Sequence, residues 1–329
     1  MNDKKNLIAS FLFLMLITCQ AIGADSYDIV VALDGSGDYT SIQAAIDACK
    51  SFPDHRISIF IKNGVYHEKV RVPAWNTKLS LIGESMEHTV ISWHDHFNSI
   101  NRGRNSTFFT YTLLVEGHDF YAENLTIENT AGPVGQAVAL HVDGDRCTFR
   151  NCRLLGHQDT LYAAGQNSRQ YYDSCYIEGT TDFIFGAATA VFHQCTIHSK
   201  SNSYITAAST PEGKPFGYVF LDCRLTAKPD VDKVYLGRPW RDFARVAFLY
   251  CDMGSHIFPR GWNNWSIPSR EKTSYYAEYG NTGPGSDTSG RVPWCHLLSE
   301  SEAGQFTIQQ IFRYIDPVGP SVEEWTGRR

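Results

Sequence analysis

The chain predicts an all-β fold, a single-stranded parallel β-helix with short capping helices at the ends. Two observations carry this. The first is an internal repeat that reads aromatic, two residues, Cys, one residue, apolar. It occurs at Phe149–Cys152–Leu154, Tyr172–Cys175–Ile177, Phe192–Cys195–Ile197, Phe220–Cys223–Leu225 and Phe248–Cys251–Met253. The Cys-to-Cys steps are 23, 20, 28 and 28 residues, a period that belongs to solenoids, propellers or arrays. Each copy is too short for a four-stranded blade and lacks the Leu/Asn consensus of leucine-rich repeats. The second observation is a set of short apolar strands, such as residues 137–140 and 190–192, that suit the coils of a parallel β-helix. Like slots in successive coils then stack as inward ladders of rings and of thiols. An earlier copy, Ala122–Leu125–Ile127, carries Leu in the Cys slot.

Residues 1–24 read as a signal peptide. Lys4 and Lys5 precede an apolar run from Leu7 to Ile17, and Ala21-Ile22-Gly23 is a small-x-small cleavage signal. The run is too short to span a bilayer, and no later segment is apolar enough, so no membrane partner is expected. Residues 25–329 are expected to form one β-helix unit, because solenoids grow along a single axis. Thr40-Ser41-Ile42-Gln43 reads as a capping box opening a helix, with Ile42, Ala45, Ile46 and Cys49 on one face. That helix would plug the first coil, whose open edge needs a cover. The repeats fill the middle. The segment from Asn281 to Trp294, rich in Gly, Pro and Ser, reads as loop. Thr307-Ile308-Gln309-Gln310, followed by Ile311 and Phe312, reads as a short helix near the other end.

Composition narrows the function. The formal net charge is −6, and about −7 once the leader is removed. With no basic cluster, this argues against a nucleic-acid partner. Eight cysteines remain after Cys19 leaves with the leader. Core packing is the favoured reading for them, since a free Cys behaves as a small hydrophobe and no CxxC pair exists. Stacked cysteines could also pair as disulfides in a secreted chain, and the pairing cannot be read from sequence. Three sequons, at Asn105, Asn124 and Asn264, fit secretion.

The chemistry lies on one strip of the repeat. Asp159 follows Cys152 by seven residues, and Asp182 follows Cys175 by seven. In a coil stack these carboxyls become neighbours one rung apart, at roughly 4.8 Å backbone spacing. Two carboxyls that close split their pKa values and divide acid–base and nucleophilic work. Gln136 opens the preceding coil, and Gln158 precedes Asp159. A ladder of Asn, Gln and Asp satisfying turn backbone is the bland alternative, but the set of four favours function. Arg238, in Leu236-Gly237-Arg238-Pro239-Trp240, is a cation beside an indole. It is either half of a surface cation–π pair or a side chain reaching back to hold one aspartate ionised. Counting coils puts it two beyond Asp182, a long reach. No GxSxG elbow offers a serine nucleophile. His94-Asp95-His96 reads as a polar surface loop rather than a metal site. No P-loop or GxGxxG is present, and neither a metal nor a cofactor is expected.

These motifs resemble a known family. Gly64-Val65-Tyr66-His67-Glu68, Gln136 to Leu140, Gln158 to Leu161, Asp182 to Gly186 and Leu236 to Trp240 are similar to the five signature blocks of plant pectin methylesterases, in family order. Asn129 to Pro133 and Asn281 to Gly285 are further family-like stretches. The first block follows the leader closely, so the chain resembles the short form without an inhibitor-like pro-region. The resemblance implies a right-handed parallel β-helix and hydrolysis of the C6 methyl esters of galacturonan. It implies Asp182 as nucleophile, Asp159 as proton donor, and Gln136 and Gln158 as the anion-stabilising pair. Thr107, Gln136, Arg238 and Trp240 would touch substrate, with Arg238 also orienting Asp182. It implies a secreted, cell-wall location, pectin as partner, a proteinaceous inhibitor as a second partner, and a monomer. Thr181 and Ala187 stand where the family usually has an apolar residue and Asn. A glycan at Asn105 would stand close to Thr107.

Two other readings stay open on the residues alone. Paired aspartates also suit a glycosidase or lyase on the same architecture. A non-catalytic pectin-binding wall protein would need the aspartate–glutamine set to be broken, and it is intact.

Overall fold

The computed structural model describes residues 27–313 and 320–327. The signal-peptide reading at 1–24 lies outside the described residues. Every strand pairing is parallel among the described residues, and three sheets of eleven, seven and eight strands run side by side along the stack. Each coil contributes one strand to each sheet in turn, which is the parallel β-helix expected from the repeat.

The repeat slots fall on fixed places in the coil. Phe149, Tyr172, Phe192, Phe220 and Phe248 are in register in the eleven-stranded sheet. Their rings stack face to face, with successive centroids 5.1, 4.8, 4.5 and 4.2 Å apart. The apolar slot, Leu154, Ile177, Ile197, Leu225 and Met253, is in register in the eight-stranded sheet. The Cys slot sits at the corner between these two sheets. The residue before it is left-handed in every copy: Asn124, Asn151, Ser174, Gln194, Asp222 and Tyr250 have φ of 47–58°.

That corner explains the cysteines. The thiols of Cys175, Cys195, Cys223 and Cys251 each approach the carbonyl of the aromatic slot one coil earlier, at 3.4, 3.4, 3.2 and 3.7 Å. A small apolar side chain with a weak donor fills the tight corner and partners its carbonyl. All eight cysteines among the described residues are free, so the packing reading holds and the disulfide alternative does not.

Four expectations need correction. The helix Ile42–Ala48 forms, and Ile42, Ala45 and Ile46 are buried, but Thr40 is not its cap. Ser41 is, and its partner is Glu68 from a later coil rather than Gln43. The Glu68 carboxylate accepts from the Ser41 hydroxyl (2.8 Å), the Ile42 N–H (2.9 Å) and the Gln43 N–H (3.0 Å). An anion at a helix N-terminus satisfies orphan donors and complements the dipole. Residues 137–139 are not ladder strand. The strand is Leu140–Val142, because the backbone turns a corner before it. The helices Ile308–Arg313 and Val322–Thr326 form, but they cover the flank of the stack. Ile311, Phe312, Val322 and Trp325 pack on Tyr171, Val191 and Val219 of the eleven-stranded sheet's outer face. The 281–294 loop contains one short 3-10 turn, Pro284–Ser286.

Candidate active site

The seven-stranded sheet and the corner leading into it build the site. Leu140, Leu161, Ile184, Thr206 and Gly237 are in register there. Asp159 and Asp182 each lie two residues before their coil's member of that row, so they occupy equivalent places one rung apart. Both are left-handed, with φ of 67° and 49°, a region that Asp tolerates better than most residues. Their backbone N–H groups continue the stack, Asp159 donating to the Thr181 carbonyl (3.1 Å) and Asp182 to the Tyr204 carbonyl (2.8 Å). Each aspartate is thus a turn residue and a chemical group at once.

Gln136 and Gln158 form a parallel bridge in consecutive coils, just before the aspartate corner. Among the described residues, neither side-chain amide is engaged in a hydrogen bond with the protein. Two uncommitted donors therefore stand beside the carboxyls.

Arg238 makes the long reach. It pairs in register with Ala207, which pairs with Phe185, so the guanidinium passes a coil that presents only a methyl group there. Its Nε and one terminal nitrogen donate to the two oxygens of Asp182 at 2.9 and 2.6 Å. The guanidinium lies between two rings, 4.0 Å from the Tyr204 centroid and 3.7 Å from that of Trp265. Gly237 permits the coil to close on its neighbour, since a Cβ there would lie 2.0 Å from the Thr206 hydroxyl. The sequence pattern suggested Trp240 as the cation's ring. The structure gives Trp240 to Arg241 instead, at 4.7 Å, and sets its edge against Phe185.

These groups line one cleft of about 380 Å³, together with Phe97, Arg104, Thr107, Phe108 and Trp265. One wall is the 3-10 helix Gly103–Phe109, in which Thr107 is buried. All seven residues singled out from the sequence reach this cleft. Tyr204, Trp265 and Arg104 were missed. Tyr204 occupies the same corner place as the aspartates one coil on, a signal the repeat contains. Trp265 and Arg104 come from loops outside the repeat and carry no periodic signal.

The electrostatics divide the two carboxyls. Asp159 is 8% and Asp182 6% exposed. Burial pushes Asp159 well above the usual carboxylate range, the Asp182 charge pushes the same way, and Arg238 opposes. Burial also raises Asp182, with the paired Arg238 pulling it back down. The Arg238 pair was expected to lower Asp182 outright, but desolvation outweighs it. The direct ion pair belongs to Asp182, so that group ionises first and the dyad's proton stays on Asp159. A buried carboxylate, a neutral carboxylic acid and two free amide donors can together attack, protonate and stabilise an acyl centre.

His94 contacts the Trp93 ring, and Asp95 pairs with Lys69. Among the described residues no group of three or more His, Cys, Asp or Glu is placed to hold a metal. No helix among them is long and apolar enough to cross a membrane.

The family model described as Pectinesterase matches residues 28–314. The chain belongs to the pectinesterase family. Members of this family are carboxylic ester hydrolases. The chain is 43% identical over 295 residues to pectinesterase 31 of Arabidopsis thaliana, covering 87% of this chain and 92% of that one. It is 40% identical to the probable pectinesterase/pectinesterase inhibitor 6 of the same plant but spans only 51% of its length. Among solved pectinesterases, the pectin methylesterase from carrot superposes with a TM-score of 0.83 at 35% identity, covering 88% of this chain and 94% of that one.

Proposed function

We propose that the chain hydrolyses methyl esters of pectin to pectate and methanol through an aspartyl acyl-enzyme. The observation that carries this is the division of labour in the dyad, with Asp182 tied to Arg238 by two hydrogen bonds and Asp159 buried beside it without a cation of its own. A Asp182 carboxylate oxygen attacks the ester carbonyl carbon. The amides of Gln136 and Gln158 donate to the oxygen that gains charge, and one such donor is typically worth about 2.7–4 kcal/mol in the barrier. Asp159 gives its proton to the methoxyl oxygen, and methanol leaves. The resulting mixed anhydride is attacked by water, which yields a proton to Asp159, and Asp182 departs as carboxylate. The dyad ends as it began.

Thr107 and Trp240, which both line the cleft, are the proposed substrate contacts with Gln136 and Arg238. The leader at 1–24 would direct the enzyme to the cell wall, where pectin and a proteinaceous inhibitor are its partners and it works as a monomer.

Methanol release from methyl-esterified galacturonan tests the reading. Asp182→Asn is expected to lose activity by a factor of a thousand or more, on the order of other nucleophile losses, while keeping its fold. Near wild-type turnover by a folded Asp182→Asn variant overturns the nucleophile role. New reducing ends in place of methanol would mean glycosidase or lyase chemistry.

A further inference from the structure

The two uncommitted glutamines are carried by different kinds of backbone. Gln158 lies in a short corner, whereas Gln136 stands near the end of an insertion. Twelve positions separate Glu128 from Leu140, and six separate their register partners Leu155 and Leu161. Coil stacking therefore fixes the corner of Gln158 more closely than the longer path to Gln136. Since the Gln136 amide is uncommitted, its place depends on the backbone that bears it.

A buried polar knot closes that insertion. Val138, two residues beyond Gln136, is wholly buried. It stands two places before Leu140, as Asp159 stands before Leu161, so it is the rung next to the dyad. Its N–H donates to the Thr110 hydroxyl at 2.9 Å, and its carbonyl accepts from the Asn129 amide at 3.1 Å. The Thr110 hydroxyl donates its own proton to the Thr107 carbonyl at 2.8 Å. The Asn129 amide also donates to the carbonyls of Thr110 (3.1 Å) and Asp95 (2.8 Å), and its oxygen accepts from the Ala131 N–H at 3.0 Å. Thr110 is 0% and Asn129 4% exposed. Every polar atom of the two side chains is used, and away from water such bonds are costly to lose. The knot ties both ends of the insertion together, since Asn129 ends the strand Thr126–Asn129 and Val138 precedes the strand Leu140–Val142. Through Thr107 it also joins the insertion to the wall Gly103–Phe109.

We infer that Thr110 and Asn129 are positioning residues that hold Gln136 in line with Gln158, so that both amides face the same oxygen of the ester. The inference rests on the esterase reading above and on the donor role given there to Gln136. Neither residue lines the cleft; both act through the backbone of residues 136–138. A donor of this kind works only when it is aimed in advance at the oxygen that gains charge. Without the Thr110 hydroxyl, the buried Val138 N–H has no acceptor. The backbone then shifts to find one and carries Gln136 with it. Substrate binding rests on the other cleft contacts and changes little.

The experiment measures kcat and KM for methanol release from methyl-esterified galacturonan. It compares the wild type, T110V, T110S, Q136A and the double variant T110V/Q136A, with thermal melts to confirm the fold. T110V exchanges one hydroxyl for a methyl group of like shape. It is expected to lower kcat by about tenfold or more with KM within about twofold, a part of what losing a donor outright costs. T110S keeps the hydroxyl and is expected to stay within about twofold of wild-type kcat. In the Q136A background T110V is expected to cost nothing further, because the group it positions is gone. N129A is expected to show the same non-additivity with Q136A. Where T110V does not fold, T110A removes the same hydroxyl and is read in its place. An equal loss from T110V in both backgrounds overturns the inference, since it would mean a general structural role, and so does wild-type kcat in T110V. Wild-type turnover by Q136A overturns the donor role and this inference together while leaving ester hydrolysis standing. Absence of methanol from the wild type overturns the esterase reading itself, a separate result.

Discussion

Replacing Arg238 with Gln removes the cation that pairs directly with Asp182. The pair consists of two charge-assisted hydrogen bonds, 2.9 and 2.6 Å, between groups whose side chains alone are 20% and 8% exposed. Breaking a buried pair by removing one partner typically costs about 3–5 kcal/mol, because the other charge stays buried alone. Here the stranded group is the proposed nucleophile, and it escapes the cost by taking up a proton. Burial already raises the Asp182 carboxyl, and Arg238 is what opposes that rise. Without it the carboxyl protonates at higher pH, so the acid limb of the activity profile moves up. The alkaline limb depends on Asp159 holding its proton. Arg238 lowers that group as well, so its loss moves the alkaline limb upward too, by less, because Asp182 and not Asp159 holds the direct contact. The pH optimum should therefore rise and narrow. At the wild-type optimum, a loss of about 3 kcal/mol is on the order of a hundredfold in kcat/KM. The assay is methanol release across pH, with circular dichroism and a thermal melt to confirm the fold. An unmoved acid limb with a uniform loss at every pH would refute the electrostatic role and leave Arg238 as a substrate contact alone.

Asp159→Asn should abolish activity yet stabilise the protein at neutral pH. The folded-state carboxyl is raised by burial, so its stabilising protonated form is favoured at low pH and its stability contribution is lost as pH rises through that folded value. An asparagine escapes the loss. Its melting temperature should exceed wild type by about 2 °C or more near neutrality, with the gap closing below the ordinary carboxylate range; equal melts at both pH values would contradict a buried, proton-holding Asp159. Glu68→Ala should cost about 2 kcal/mol, since it strips three hydrogen bonds from the capping helix. Urea denaturation reads that loss, and an unchanged midpoint would mean that Ser41 caps the helix unaided.

Much of the site was legible because the solenoid converts sequence period into spatial adjacency. The seven-residue offset from the Cys slot was enough to place Asp159 beside Asp182, since parallel coils stack without slipping. The left-handed corner then explains why aspartate suits those two positions. What escaped notice lies where the period fails. Trp265 and Arg104 stand on insertions between coils, whose lengths carry no register. Glu68 also escaped as a cap, because the helix start it serves lies 25–27 residues earlier and the local Thr40-x-x-Gln43 pattern offered a nearer answer.

The amino-acid order alone determined the stack, its inward ladders and the juxtaposition of the two carboxyls, because one-dimensional repetition leaves few ways to bury an aromatic and a thiol every coil. Only the folded chain decided which carboxyl is charged. That depends on how deeply each is buried and on a guanidinium passing over Ala207 between two rings, and desolvation and distance are properties of the assembled surface rather than of residue spacing.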